Sequence, residues 1–299
     1  MIILEDESLR DGLQFEKKIF SLEEKLQIFE KLSEAGLSRI QVGSFVHPEI
    51  VPQMADTDEL IRRIGKHPGV LLTGLVLNAK GLERALLSGL KHISLSCSAS
   101  DLHSLKNVKK TRENALALTV DLIREAVLSG LSVRAGVQCS FGCVYQGQVD
   151  EDLVFESVGK MADAGAHEFN MADTAGMANP RQVKRMIERL HVKFPEQKFS
   201  LHLHDTRGLA LANMFAGYQA GVRIFDTSAG GLGGCPFVKG AAGNIPTEDA
   251  VNMFSMVGEE TGIDLQKICK VTSLYQKLLG RELPGRLCKI VAAEESVSR

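Results

Sequence analysis

The run Leu201-His202-Leu203-His204-Asp205 places two imidazoles two residues apart between apolar neighbours. On a strand, positions i and i+2 point to the same face, so the pair can grip one ion from a rigid element. A hard divalent cation held by two imidazoles needs oxygen donors to complete its shell. Asp11 and Asn244, each placed after a strand-like run, are the natural candidates. Two nitrogens and two oxygens with open positions suit Mg2+ or Mn2+. Zn2+ fits less well, because its sites more often use three histidines or a cysteine. The plain alternative is two histidines serving the polar end of a core strand.

Arg10 adjoins Asp11. A guanidinium fixed beside a metal can stabilise a developing enolate oxygen, as an oxyanion hole does; an ordinary surface ion pair is the simpler reading. The segment Gly230–Asn244 holds six glycines and one cysteine, Cys235. Ordering so many glycines costs backbone entropy, which makes sense in a lid that closes over substrate. Its thiol would serve as a general acid or base, against the alternative of a plain loop with an incidental cysteine. Asp173, in Asp173-Thr174-Ala175-Gly176, either orients a ligand from behind or forms a turn.

Apolar strand-like runs alternate with amphipathic helical stretches, and these must hold the groups above. The pairs are Ile2–Leu4 with Leu22–Ala35, Arg39–Val42 with Thr57–Ile64, Val70–Val76 with Ala79–Ser88, and His92–Leu95 with Thr111–Ser129. They continue with Ser132–Gln138 and Glu151–Ala164, Glu168–Met171 and Pro180–Lys193, Phe199–Leu203 and Ala210–Ala220, and Arg223–Thr227 and Thr247–Glu259. Gly36, Gly89, Gly130, Gly165 and Gly221 follow helical stretches, where a left-handed cap favours glycine. Eight βα units predict an α/β fold, a (β/α)8 TIM barrel, with a doubly wound open sheet as the alternative. The barrel is expected over about 1–262. Two further helices are expected between Asp264 and about Leu287, within an extension over about 263–290, followed by a flexible tail. The whole of 1–299 reads as one catalytic domain. Barrel sites sit at the C-terminal ends of strands, so Gln14, Gln41, Ser44 and Asn170 join the candidate set.

The 299 residues are 44% hydrophobic, with 35 basic against 37 acidic residues, so a large core is expected and no basic patch argues for nucleic acid. No apolar run approaches the roughly 20 residues of a membrane span. The opening Met1-Ile2-Ile3-Leu4-Glu5-Asp6 lacks a basic leader region, and a cytoplasmic location is expected. The six cysteines are irregularly spaced and read as reduced packing residues, Cys235 apart.

Several motifs converge on one family. Ser8-Leu-Arg-Asp-Gly-Leu-Gln14-Phe-Glu-Lys17, Ser44-Phe-Val-His-Pro48, Val51-Pro-Gln-Met-Ala-Asp56 and Asp173-Thr-Ala-Gly176 resemble 3-hydroxy-3-methylglutaryl-CoA lyase. So do His202-Leu-His204-Asp205-Thr206, Gly231-Leu-Gly-Gly-Cys-Pro236 and Gly243-Asn244, in consistent order over nearly the whole chain. The resemblance implies a divalent cation on Asp11, His202, His204 and Asn244. It implies that Arg10 stabilises an enolate oxygen, that Cys235 moves a proton and that Lys17 contacts coenzyme A. The implied reaction is retro-Claisen cleavage of an acyl-CoA to a keto acid and acetyl-CoA, by a homodimer. The chain departs from the family pattern at Gln41, where Glu is usual, at Asn170 for Ser, at Arg207 for Tyr and at Gly280 for Asn. These positions surround substrate, and Arg207 could meet an extra carboxylate. A related aldolase or synthase acting on another acyl-CoA or on a 2-oxo acid is therefore the second reading. A catalytically weak binding paralogue is the third.

Overall fold

Eight parallel strands pair in sequence order, and the last pairs with the first to close a barrel. A computed structural model of the chain describes residues 1–234 and 243–297. The strands are β1 (Ile3–Asp6), β2 (Arg39–Ser44), β3 (Leu71–Leu75), β4 (His92–Ser98), β5 (Ser132–Gln138), β6 (Glu168–Asp173), β7 (Lys198–Leu203) and β8 (Ile224–Thr227). The helices are α1 (Leu22–Glu34), α2 (Thr57–Ile64), α3 (Ala79–Ser88), α4 (Asp101–Val108), α5 (Arg112–Leu128) and α6 (Glu151–Asp163). They continue with α7 (Pro180–Lys193), α8 (Ala210–Gln219), α9 (Thr247–Met256), α10 (Leu265–Leu279) and α11 (Leu287–Val297). Closure aligns Ile3 with Ile224 and Asp6 with Thr227. This is the (β/α)8 barrel expected from the βα alternation, and it removes the open sheet.

Local chemistry sets the helix ends. Ser21 and Glu24 form a capping box at α1, and Asn78, Thr111, Asp150 and Asn179 each accept a backbone N–H at a later helix start. The five glycines expected at helix ends all have positive φ, from 79° to 105°. Helix α4 lies outside the eight βα pairs that the sequence pattern marks. Its Leu102, Leu105 and Val108 are exposed while His103 and Ser104 are buried, so no apolar stripe marks it in the sequence. The second C-terminal helix also lies later than expected: Gly280 ends α10 in the left-handed region, and Pro284 and Gly285 precede α11.

One cysteine expectation is corrected. Cys269 on α10 and Cys288 on α11 form a disulfide, with a Cα–Cα separation of 5.1 Å, whereas Cys97, Cys139 and Cys143 are buried free thiols. The pairing comes from the packing of two helices, which sequence spacing does not display.

Strand β7 turns one face to the helices and the other inward. Outward Leu201 meets α8 at Gly217, where a Cβ would lie 2.2 Å from Leu201 Cδ1. Only glycine lets the helix sit this close behind the strand that carries the histidines.

Barrel interiors usually fill with Val, Ile and Leu. Here charged side chains occupy inward positions. Arg39 makes a bidentate pair with Glu168, both bonds 2.9 Å, and a third contact to Glu5 at 2.7 Å. Arg134, 1% exposed, bridges Glu5 at 2.8 Å, Glu168 at 3.2 Å and Asp226. Such buried pairs hold only when geometry and hydrogen bonds are complete. Thr73 supplies one more bond, to Glu5 at 2.7 Å. Among the described residues no helix is long and apolar enough to cross a membrane.

Candidate active site

The polar network leads up to the C-terminal rim. His202, on β7, and His204, just beyond it, are buried, and their Nε2 atoms lie 2.9 Å apart. Asp11 enters from a single π-helical turn, Ser8–Gly12, that follows β1. One ligand atom from each of Asp11, His202 and His204 falls within a 4.8 Å cluster. Asn244 lies beside this group. Its backbone bridges to His204, and its Nδ2 donates to Asp11 Oδ2 at 2.9 Å and to the Leu232 carbonyl at 3.1 Å. A Cβ at Gly233 would lie 2.7 Å from Asn244 Nδ2, so the close approach requires glycine there.

Donor chemistry and spacing fit a divalent ion. Two neighbouring ligands at right angles, with bonds of about 2.1 Å, sit about 3 Å apart, which matches the two Nε2 atoms. Burial disfavours charge on His202, yet Glu7, Asp226 and Asp11 outweigh it and lift its pKa to about 9. Burial and the charge on His202 push His204 down to about 4, leaving it an acceptor. Burial raises the Asp11 carboxyl, but Arg10 and both histidines pull it below its ordinary value.

Behind these groups, Asp226 Oδ2 faces His202 Nδ1 at 3.1 Å and also accepts from Asn170 Nδ2 at 3.2 Å. Arg134 and His202 hold Asp226 below the ordinary carboxylate range despite its burial. A carboxylate on the far nitrogen of a ligating histidine fixes tautomer and ring orientation. Arg10 is held at each nitrogen: Nε donates to Gln41 Oε1, Nη1 to Asp11 Oδ1 and Nη2 to Glu7 Oε2. Gln14 Nε2 donates to Asp11 Oδ1 at 2.8 Å. Burial pushes the Glu7 carboxyl up, and the Arg10 guanidinium in contact with it favours its charged form. A divalent ion nearby would favour that form too.

The remaining expected residues are placed as follows. Ser44 is buried at the end of β2, its Oγ accepting from Val46 N at 3.3 Å, and Lys17 is exposed on the segment leading to α1. Asn170 gives its amide to Ser200 and Asp226 rather than to open space. Arg207 is exposed, its Nη1 donating to the Ala175 and Gly176 carbonyls at 2.7 and 2.9 Å. Asp173, expected among the catalytic groups, commits its two oxygens to the backbone N–H of Met177 and Ala178 at 2.7 and 3.0 Å. Burial raises it to about 6, and its geometry is that of a turn-former. Gly280 occupies the left-handed cap of α10, a conformation that glycine and asparagine share. Cys235 lies outside the described residues.

Two further groups of the site, Glu7 and Asp226, are not singled out by residue type and spacing in the sequence. Their signals are in the sequence: Asp226 follows directly on the apolar Ile224-Phe225, and Glu7 ends an acidic triplet at the tip of β1.

Fold and site together define a (β/α)8-barrel enzyme with a candidate metal centre at its C-terminal rim. A family model described as HMGL-like matches residues 1–274, and the chain belongs to that family. It is 38% identical over 277 residues to the hydroxymethylglutaryl-CoA lyase YngG of Bacillus subtilis, covering 93% of each chain. It is 38% identical over 280 residues to the mitochondrial hydroxymethylglutaryl-CoA lyase of Homo sapiens, covering 94% of this chain and 86% of that one. The crystal structure of the Bacillus subtilis HMG-CoA lyase superposes with a TM-score of 0.94 at 36% identity, covering 97% and 98% of the two chains. An HMG-CoA lyase from Acinetobacter baumannii, in complex with coenzyme A and 3-methylmalate, gives 0.91 at 38% identity, covering 97% and 94%.

Proposed function

We propose that this chain is a divalent-metal-dependent carbon–carbon lyase that cleaves 3-hydroxy-3-methylglutaryl-CoA, or a close 3-hydroxyacyl-CoA, to a keto acid and acetyl-CoA. The observation that carries this reading is the convergence of Asp11, His202 and His204 within 4.8 Å, beside the Arg10 guanidinium. Family membership points to the same chemistry. Asn244 is assigned as the fourth ligand. When bound, Mg2+ or Mn2+ would supply a Lewis acid for the oxygens of the substrate.

The protein's own groups do the rest. A base accepts the substrate hydroxyl proton, and the carbon–carbon bond breaks to form the keto group, leaving its electron pair on the thioester as an enolate that is then protonated. Arg10 directs N–H groups at the oxygen where that charge develops. Cys235 is the group assigned to carry the proton that completes acetyl-CoA. Gln14 holds Asp11, and Asp173 shapes the loop after β6 rather than moving a proton. Lys17, exposed on its loop, is assigned to an anionic part of coenzyme A. Ser44, Asn170 and Arg207 complete the assigned substrate surroundings, and one domain, a homodimer and a cytoplasmic location belong to the same reading.

A second reading, a related aldolase or synthase acting on another acyl-CoA or on a 2-oxo acid, draws on the amide at Gln41 and on Arg207, a cation exposed just beyond β7. A panel of 3-hydroxyacyl-CoAs and 2-oxo acids with Mg2+ or Mn2+, read by product mass spectrometry, separates the two. Acetoacetate and acetyl-CoA from 3-hydroxy-3-methylglutaryl-CoA are the expected products. Their absence, with turnover of a 2-oxo acid, would select the second reading.

A further inference from the structure

Arg10 has five N–H donors, and three of them are taken among the described residues. The direction in which the others point depends on what holds the guanidinium plane. The three anchors are not equivalent. Asp11 also accepts from Gln14 and Asn244 and is an assigned metal ligand, so its charge is shared. Gln41 is neutral, and its own Nε2 turns to Glu5 at 3.4 Å. Glu7 is the remaining carboxylate on Arg10 among the described residues.

The backbone of Glu7 is fixed on both sides. Its N–H donates to the Thr227 carbonyl at 2.8 Å, and its carbonyl accepts from Arg10 N at 3.0 Å and Gly12 N at 3.1 Å. The side chain is 2% exposed. Oε2 takes the Arg10 bond and lies 3.5 Å from His202 Nδ1, while Oε1 lies 3.9 Å from Arg134 Nη1. A buried carboxylate on so short a tether costs desolvation, which a well-aligned cation must offset. It also gives the guanidinium one preferred plane.

We propose that Glu7 is the positioning residue that aims Arg10 at substrate, supplying the charge that Gln41 does not. The inference rests on the role given to Arg10 above. It is carried by the three-point hold on one guanidinium in which one of two carboxylates is shared with the metal cluster.

A charge-relocation experiment tests it. Glu7→Gln keeps the size and one acceptor oxygen but removes the charge. Gln41→Glu puts a carboxylate on Arg10 Nε. Glu7→Gln is expected to lower kcat on the order of 100-fold with KM moving less than about threefold. Glu7→Gln/Gln41→Glu is expected to return kcat to within about tenfold of the parent. Mn2+ affinity, measured by titration, should stay within about threefold throughout. A second readout needs no turnover. Phenylglyoxal labels arginines, and mass spectrometry follows the Arg10 peptide. Labelling should speed up by roughly tenfold in Glu7→Gln and slow again in the double variant. Unchanged kcat and labelling in Glu7→Gln overturn the proposal, as does a double variant no better than the single one. Loss of Mn2+ binding in parallel with activity overturns it too, by making Glu7 part of the metal site. If the parent protein cleaves none of the acyl-CoAs, the lyase reading fails, and the labelling rates alone decide the role of Glu7.

Discussion

Asp226→Asn isolates the contribution of one buried charge to the metal cluster. When His202 Nε2 serves a metal, the ring keeps its other proton on Nδ1, which faces Asp226 Oδ2 at 3.1 Å. A bond to a charged acceptor contributes about 1.5–3 kcal/mol and a neutral one about 0.5–1.5. Asparagine retains an acceptor oxygen, so the loss is about 1–1.5 kcal/mol, or about tenfold in metal affinity. The fold should survive, because Arg134 still reaches Glu5 at 2.8 Å and Glu168 at 3.2 Å. We expect a stability loss of about 1–3 kcal/mol. Isothermal titration of Mn2+ into the purified variant measures the first effect and urea unfolding the second. An Mn2+ dissociation constant unchanged in Asp226→Asn, with folding intact, would falsify the idea that this carboxylate supports His202 as a ligand.

Further outcomes follow from other parts of the molecule. Cys235→Ser should slow turnover on the order of 100-fold or more while leaving Mn2+ binding intact; full turnover would remove this thiol from the chemistry. The disulfide closes a loop of sequence separation 19, so Cys269→Ser should cost about 3 kcal/mol in urea unfolding. The difference from the parent should vanish when both are measured under reducing conditions. Burial lowers His103 to about 4. Its neutral form is native, so this stability is present above the unfolded value of about 6.5 and is lost as pH falls towards 4. His103→Gln should flatten that loss by up to about 1.4 kcal/mol per pH unit, and equal slopes for the two proteins would contradict it.

The alternation of apolar runs and helical stretches carried most of the fold, because each barrel strand is short, buried and bounded by glycine or a capping residue. Helices α2, α3 and α7 begin and end where the pattern places them. The pattern loses hold where burial does not organise the sequence, as in α4, whose leucines face solvent. The rim was legible in part. His202, His204 and Asp11 announce themselves by type and spacing, and Arg10 by adjacency. Glu7 and Asp226 did not, since their roles arise when β1 and β8 come together across more than two hundred residues of chain. Asn170 reads as a substrate contact until the fold brings Asp226 within 3.2 Å of its amide.

The ionic interior of the barrel bears on any attempt to harden this protein. Exchanging a buried charge cluster for well-packed apolar side chains often raises stability, and Glu5, Arg39, Arg134 and Glu168 would be obvious targets. In this chain the cluster ends on Asp226, which touches His202. An apolar replacement of Arg134 would leave Asp226 without its guanidinium and free to turn away from the imidazole. Heat tolerance and metal affinity are therefore traits that selection cannot set separately at these positions. Variants that melt higher should be sought on the helical shell, at sites such as the exposed Leu87 and Leu128, where no thread of charge leads back to the rim.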